Sequence, residues 1–131
     1  MQYGDDAKSR ICGKNDNGTI SSCYSTVSVT GNNEVGGICG LNDDGTITTS
    51  YAKGTVTGRD DAPHIGGFCG RNLSWNGSIN NAYSVALVTC GDNASRVGGF
   101  CGFNHEGPID NCYAAGLISQ GINGTDIGGF C

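Results

Sequence analysis

"GGFCGFN" (Gly98–Asn104) decides how this sequence folds, because it comes back. Near-copies stand at "GGICGLN" (Gly36–Asn42) and "GGFCGRN" (Gly66–Asn72). A worn version, "SRICGKN", begins at Ser9, and "GGFC" closes the sequence at Gly128–Cys131. The framed cysteine falls at 12, 39, 69, 101 and 131, so the steps are 27, 30, 32 and 30 residues. Aligned on the frame, the chain is one repeat domain over 1–131. Its coils are 11–37, 38–67, 68–99 and 100–129, with partial copies at 1–10 and 130–131. Length varies after Asn72 and before the Gly-Gly pairs, as in surface loops that tolerate insertion.

Each copy holds three short β-type runs. The first is the frame. The second centres on Ile20, Ile47, Ile79 and Ile109 and closes on Tyr24, Tyr51, Tyr83 and Tyr113. The third carries Val29, Val56, Val88 and Ile118. Turn pairs such as Asn17-Gly18 and Asp44-Gly45 precede the second run, and Gly-rich polar loops follow the third. No helical period interrupts this pattern. Three strands in a copy of this size predict an all-β fold: a three-sided parallel β-solenoid (β-helix) of about four coils, right-handed as parallel crossovers are. Equivalent residues then stack about 4.8 Å apart. Asn15, Asn42, Asn72 and Asn104 are expected to form an amide ladder at a corner, and Ala52, Ser84 and Ala114 to fit tight bends.

Composition narrows the partners. A net charge of −5 and only 15% charged residues argue against nucleic acid. No apolar window is long enough to span a membrane. No charged-then-apolar leader follows Met1, as expected of a mature product or a piece of a longer chain. Eight cysteines point to an oxidising, extracytoplasmic setting with disulfides, although reduced thiols of an anaerobe would look the same.

The stretch "VGGICGLNDDGTITTSYAKGTVTG" (Val35–Gly58) resembles the GLUG repeat, whose pattern is roughly G-G-L-V-G-x-N, then G-x-I, a small residue with Tyr-Ala, and G-x-V-x-G. The resemblance extends over nearly the whole chain. It implies a β-solenoid segment of large secreted or cell-surface bacterial proteins, adhesin-like ones among them. The family has no agreed catalytic residues, so none are carried over. Cysteine stands here where the family often has Val.

Strand alternation sets Ile38 against Cys39, Phe68 against Cys69 and Phe100 against Cys101, one facing in and the other out. Cys is a small hydrophobe that replaces Val, which favours Cys inward. Ile38, Phe68, Phe100 and Phe130 then form an outer stripe for lateral contact. Cys23 and Cys112 each follow a frame cysteine by 11 residues, which suggests disulfides Cys12–Cys23 and Cys101–Cys112. Vertical pairs between coils compete with these, and Cys39 and Cys69 read as ladder cysteines. Cys90 and Cys131 are candidates for an intermolecular bond or free thiols. No close Cys pair supports zinc.

Catalytic chemistry is not visible. His64 and His105, the two histidines, fall in variable turns and read as solvent-exposed. The acidic pairs Asp5-Asp6, Asp43-Asp44 and Asp60-Asp61 read as solvated turns, with weak calcium binding the alternative and no other cofactor expected. The sequence therefore predicts no enzyme. It predicts an extracellular or cell-surface structural solenoid, a self-assembling filament subunit or a stalk. The alternative is an adhesin-type module for a host glycan or protein, with Trp75 in the inserted turn as its first contact.

Overall fold

The structure is a computed structural model that describes residues 11–26, 28–73 and 75–131. These residues contain no helix. They form a β-solenoid of about four turns, built from five four-stranded parallel sheets. The frame sheet stacks Cys12–Asp16, Cys39–Asp43, Cys69–Leu73 and Cys101–His105. Its register pairs cysteine with cysteine and asparagine with asparagine on every rung. The Ile, Tyr and Val positions form three further sheets in equally strict register. The fifth sheet joins Val35–Gly36, Pro63–Gly66, Ser95–Gly98 and Thr125–Gly128, directly before the frame.

Each turn thus carries five short strands where the repeat pattern predicts three runs. The second run is split because Ser22, Thr49, Asn81 and Asn111 adopt left-handed backbone angles, φ 51 to 54°, which turn the chain between its Ile and its Tyr. The loop before Gly-Gly also enters a strand. There Glu34, His64, Arg96 and Asp126 form another left-handed column, φ 46 to 58°.

The largest departure from the sequence pattern is at the frame. Ile38, Phe68 and Phe100 are completely buried, and so are Cys39, Cys69 and Cys101. The expected outer stripe therefore does not exist. Phe130 also packs on the core, its ring stacked on Phe100 at 4.9 Å. The reason lies in the hydrogen bonds. The N–H groups of Ile38 and Cys39 both donate to the Phe68 carbonyl, at 2.9 and 3.1 Å. Phe68 and Cys69 share the Phe100 carbonyl, and Phe100 and Cys101 share that of Phe130. Two donors on one acceptor mark a bulge, which cancels strand alternation and turns both neighbours inward. Glycine makes the bulge possible. A Cβ on Gly66 would run into the Cys69 carbonyl oxygen and lie 2.7 Å from that of Phe100.

The core fills the tube as two clusters. One holds the Ile column, the Phe68–Phe100 stack (4.6 Å between centroids) and the frame cysteines. The other holds Val29, Val35, Val56, Ile65, Val88, Val97 and the alanines beside them. Each large side chain so buried contributes about 1.5–3 kcal/mol. Ile109, Ile118 and Ile127 of the fourth coil are only partly covered, since rungs pack on one side of them alone.

Candidate functional site

Four columns carry the polar and reactive groups. The first is the asparagine column. Nδ2 of Asn15 donates to Oδ1 of Asn42 at 2.9 Å, Asn42 to Asn72 at 2.8 Å, and Asn72 to Asn104 at 2.7 Å. The other N–H of Asn42 closes its own turn on the Gly45 carbonyl at 2.8 Å, as that of Asn104 does on Gly107. The column therefore has a direction, with every amide donating toward the C-terminal end. At that end, the second N–H of Asn104 has no acceptor among the described residues.

The second column is sulfur. Cys12, Cys39, Cys69 and Cys101 lie in register, and Cys131 follows on the next rung, where the Cys101 N–H donates to the Phe130 carbonyl at 3.0 Å. Each of the first four also donates its S–H to the carbonyl two residues on, at 2.8 to 3.3 Å. The neighbouring thiols of Cys101 and Cys39, with burial, push the Cys69 thiol well up. The thiols of Cys12 and Cys69 hold Cys39 well below the usual thiol range, and those of Cys131 and Cys69 do the same for Cys101.

No two cysteine sulfurs are at bonding distance, so neither Cys12–Cys23 nor Cys101–Cys112 is a disulfide here. The recurrence behind that expectation has another cause. Cys23 Sγ donates to the Ser21 carbonyl at 3.2 Å and Cys112 Sγ to that of Asp110 at 3.1 Å. Ser50 makes the same bond to Thr48 at 2.9 Å. The two thiols do what the serine hydroxyl does at that corner. Cys90 is 4% exposed, because alternation turns Val88 and Cys90 inward together, and burial raises its pKa. It cannot reach another chain while the rung is closed. Cys131 is exposed.

A third group gathers on the flank around Phe103. Arg96 lies 4.9 Å over its ring and Arg71 5.8 Å, while the His64 ring sits 5.5 Å away. Arg71 pairs with Glu34 at 3.0 Å. Arg96 lies 3.1 Å from His64 Nε2, and guanidinium can only donate, so that nitrogen accepts. His64 is 9% exposed, contrary to the solvent-exposed reading, because Pro63–Gly66 is a strand whose left-handed turn at His64 lays the ring against its neighbours. Burial, then the charges of Arg71 and Arg96, lower its pKa to about 4.

The fourth column is outward. Tyr24, Tyr51, Tyr83 and Tyr113 stack with centroids 4.9 to 5.2 Å apart, and Tyr24 is 60% exposed. Beside it the third and fourth coils show Val85, Leu87 and Leu117 to solvent, Leu117 at 77%. Trp75 is 74% exposed, and its backbone N–H donates to Asp44 Oδ1 at 2.7 Å. Sequence reasoning missed both the apolar flank and the Phe103 group. The first was signalled by "VAL" (Val85–Leu87), whose ends face out. The second joins residues from all four coils and leaves no local signal.

The acidic turns bond to neighbouring rungs. Asp60 Oδ1 accepts the Asp92 N–H at 2.9 Å, Asp61 accepts from Asn93 at 3.1 Å, and Asp43 pairs with Lys14 at 3.0 Å. Asp5-Asp6 lies outside the described residues. Among those residues no three His, Cys, Asp or Glu side chains come together to hold a metal, and no helix is long and apolar enough to cross a membrane.

With the columns on the page, the comparison with known families has a structural meaning. The GLUG motif matches residues 31–57 and 93–119. The chain carries GLUG repeats. The rung between the two GLUG matches carries the insertion "NLSWNG" (Asn72–Gly77) in its sequence, and its frame strand Cys69–Leu73 still registers with the frame strands on both sides. No curated protein and no solved structure matches the chain.

Proposed function

We propose that this GLUG-repeat solenoid is a structural element outside the cell, a stalk or filament subunit that lengthens end to end. The observation that supports this most is the directed amide column. Asn104 offers a donor at one end, and Asn15 offers Oδ1 at the other, where it accepts nothing among the described residues. For a second copy to join the two, its Ile11 and Cys12 must take the places that Phe130 and Cys131 hold over Phe100 and Cys101; with that exchange the open strands pair and Ile109, Ile118 and Ile127 are covered. Such a contact is heterologous, so it propagates instead of closing. Negative-stain electron microscopy over a concentration series tests the reading. Fibres one solenoid wide are expected at high concentration, and short particles at every concentration would contradict it.

A second reading, an adhesin-type module, is favoured by the exposure of Trp75 and of the tyrosine column. Binding on a glycan or host-protein array that disappears in Trp75→Ala is the outcome it requires.

A further inference from the structure

The tyrosine column lies outside the tube yet has the geometry of an inner stack. Tyr24, Tyr51, Tyr83 and Tyr113 are register partners on successive rungs. Rungs of a parallel sheet put equivalent Cα atoms about 4.8 Å apart. The rings keep that spacing out to their centroids, at 5.2, 4.9 and 4.9 Å, and their planes diverge by no more than 10°. Like atoms of neighbouring rings therefore face each other. The inner stack of Phe68 on Phe100 is as close, but it is buried and carries no hydroxyl. Tyr51 and Tyr83 each have a ring above and below, and both are still partly open to solvent. A reagent therefore reaches them from the flank. No other described residue hydrogen-bonds to any of the four hydroxyls, so nothing in the chain holds the phenolic protons.

We propose that the tyrosine column is an oxidative crosslinking site that joins neighbouring rungs ring to ring, with Tyr51–Tyr83 the bond at its centre. The oxidant is hydrogen peroxide, used by a haem peroxidase. Each of two tyrosines gives up one electron and its phenolic proton and becomes a phenoxyl radical. The peroxide takes up the two electrons and two protons and becomes two waters. Unpaired density in each radical extends to the ring carbons beside the oxygen. One such carbon from each ring pairs its electron with the other, and a C–C bond forms. The hydrogen on each bonded carbon then moves to its own phenolic oxygen, which restores both aromatic rings. Two tyrosines and one peroxide have become one bityrosine and two waters. Side chains open to solvent move within nanoseconds, which lets two rings tilt together and close the gap between them. Register selects the partner. Tyr51 and Tyr83 stand 4.9 Å apart, whereas Tyr24 and Tyr83 have the ring of Tyr51 between them. The bond is carbon to carbon, so thiols do not reverse it, and it clasps two rungs from outside the core.

The test compares two chains that each keep two tyrosines. Both carry Tyr3→Phe, because Tyr3 lies outside the described residues. Tyr24→Phe with Tyr113→Phe keeps Tyr51 and Tyr83 on adjacent rungs. Tyr51→Phe with Tyr113→Phe keeps Tyr24 and Tyr83, which have a rung between them. Phenylalanine preserves the ring stack in both. Each chain is treated in dilute solution with a haem peroxidase and hydrogen peroxide. Monomers are recovered under denaturing conditions, and bityrosine is read by its fluorescence and by peptide mapping. The expected result is a Tyr51–Tyr83 link in monomers of the first chain, with the mass lower by two hydrogens, and loss of that signal in the second. In the native chain, links within the column should join adjacent rungs only. Equal monomer yields from the two chains, a first chain that couples only into dimers or not at all, or a native Tyr24–Tyr83 link would each overturn the proposal.

Discussion

Inside the stack, one rung resembles the next. The same amide recurs at Asn15, Asn42, Asn72 and Asn104, the same thiol at Cys39, Cys69 and Cys101, and Phe stacks on Phe. Outside, the same rungs part company. Lys53 and Thr55 of the second coil give way to Val85 and Leu87 in the third and to Ala115 and Leu117 in the fourth. An inner side chain has its own kind above and below as partners, so a change on one rung leaves a gap or an unpaired group on two others. An outer side chain faces water and can change alone. Tyrosine is the outer column that behaves like an inner one, because its rings stack on each other.

That contrast can be broken most sharply in the core. Phe68→Ala removes a ring from the middle of a stack and should cost about 3–5 kcal/mol in urea unfolding. Asn42→Leu comes next. It strands the buried amide of Asn15, Oδ1 of Asn72 and the Gly45 carbonyl. At about 1–3 kcal/mol for each buried group left unpaired, a loss of about 3 kcal/mol is expected even after relaxation. Asn42→Ser, which keeps one polar atom, should cost less.

His64 sits between the two classes and makes the contrast depend on pH. Its folded pKa, about 4, lies below the ordinary imidazole value of 6.5. The folded state therefore favours the neutral ring. Its contribution is fully present above about pH 6.5 and is lost as pH falls toward 4. Arg71 and Arg96 oppose the charged ring, and Glu34, paired with Arg71, does not offset them. Thermal melts between pH 7 and pH 4 should fall more steeply in the native chain than in His64→Gln. Equal slopes would remove His64 from the account.

The smallest effect belongs to the outer flank. Leu117→Ser should change stability by no more than about 0.5 kcal/mol. A loss comparable to that of Phe68→Ala would mean that the flank is covered in the folded protein.

The sequence displays the period, and the period carries most of the fold: equal spacing places equal residues on adjacent rungs, which is why the amide and thiol columns could be read from it. Facing was harder to read. Alternation opposes Ile38 to Cys39, yet both turn inward because their N–H groups share one carbonyl of the next rung. That bulge is a contact between coils and has no signature inside one copy. Cys23 and Cys112 misled for a related reason. Spacing ties them to frame cysteines, while the structure ties them to the column of Ser50. The burial of His64 depends on Arg96 and Phe103 from later rungs, so no window around it could reveal it.

The central claim is that like residues stack on like, rung by rung, in one directed column. Solution NMR of the asparagine side-chain amides tests it most directly. The account predicts cross-peaks joining Asn42 to both Asn15 and Asn72, and Asn72 to Asn104, with none between Asn15 and Asn104. Asn42 lacking either neighbour, or contacts that skip a rung, would contradict it.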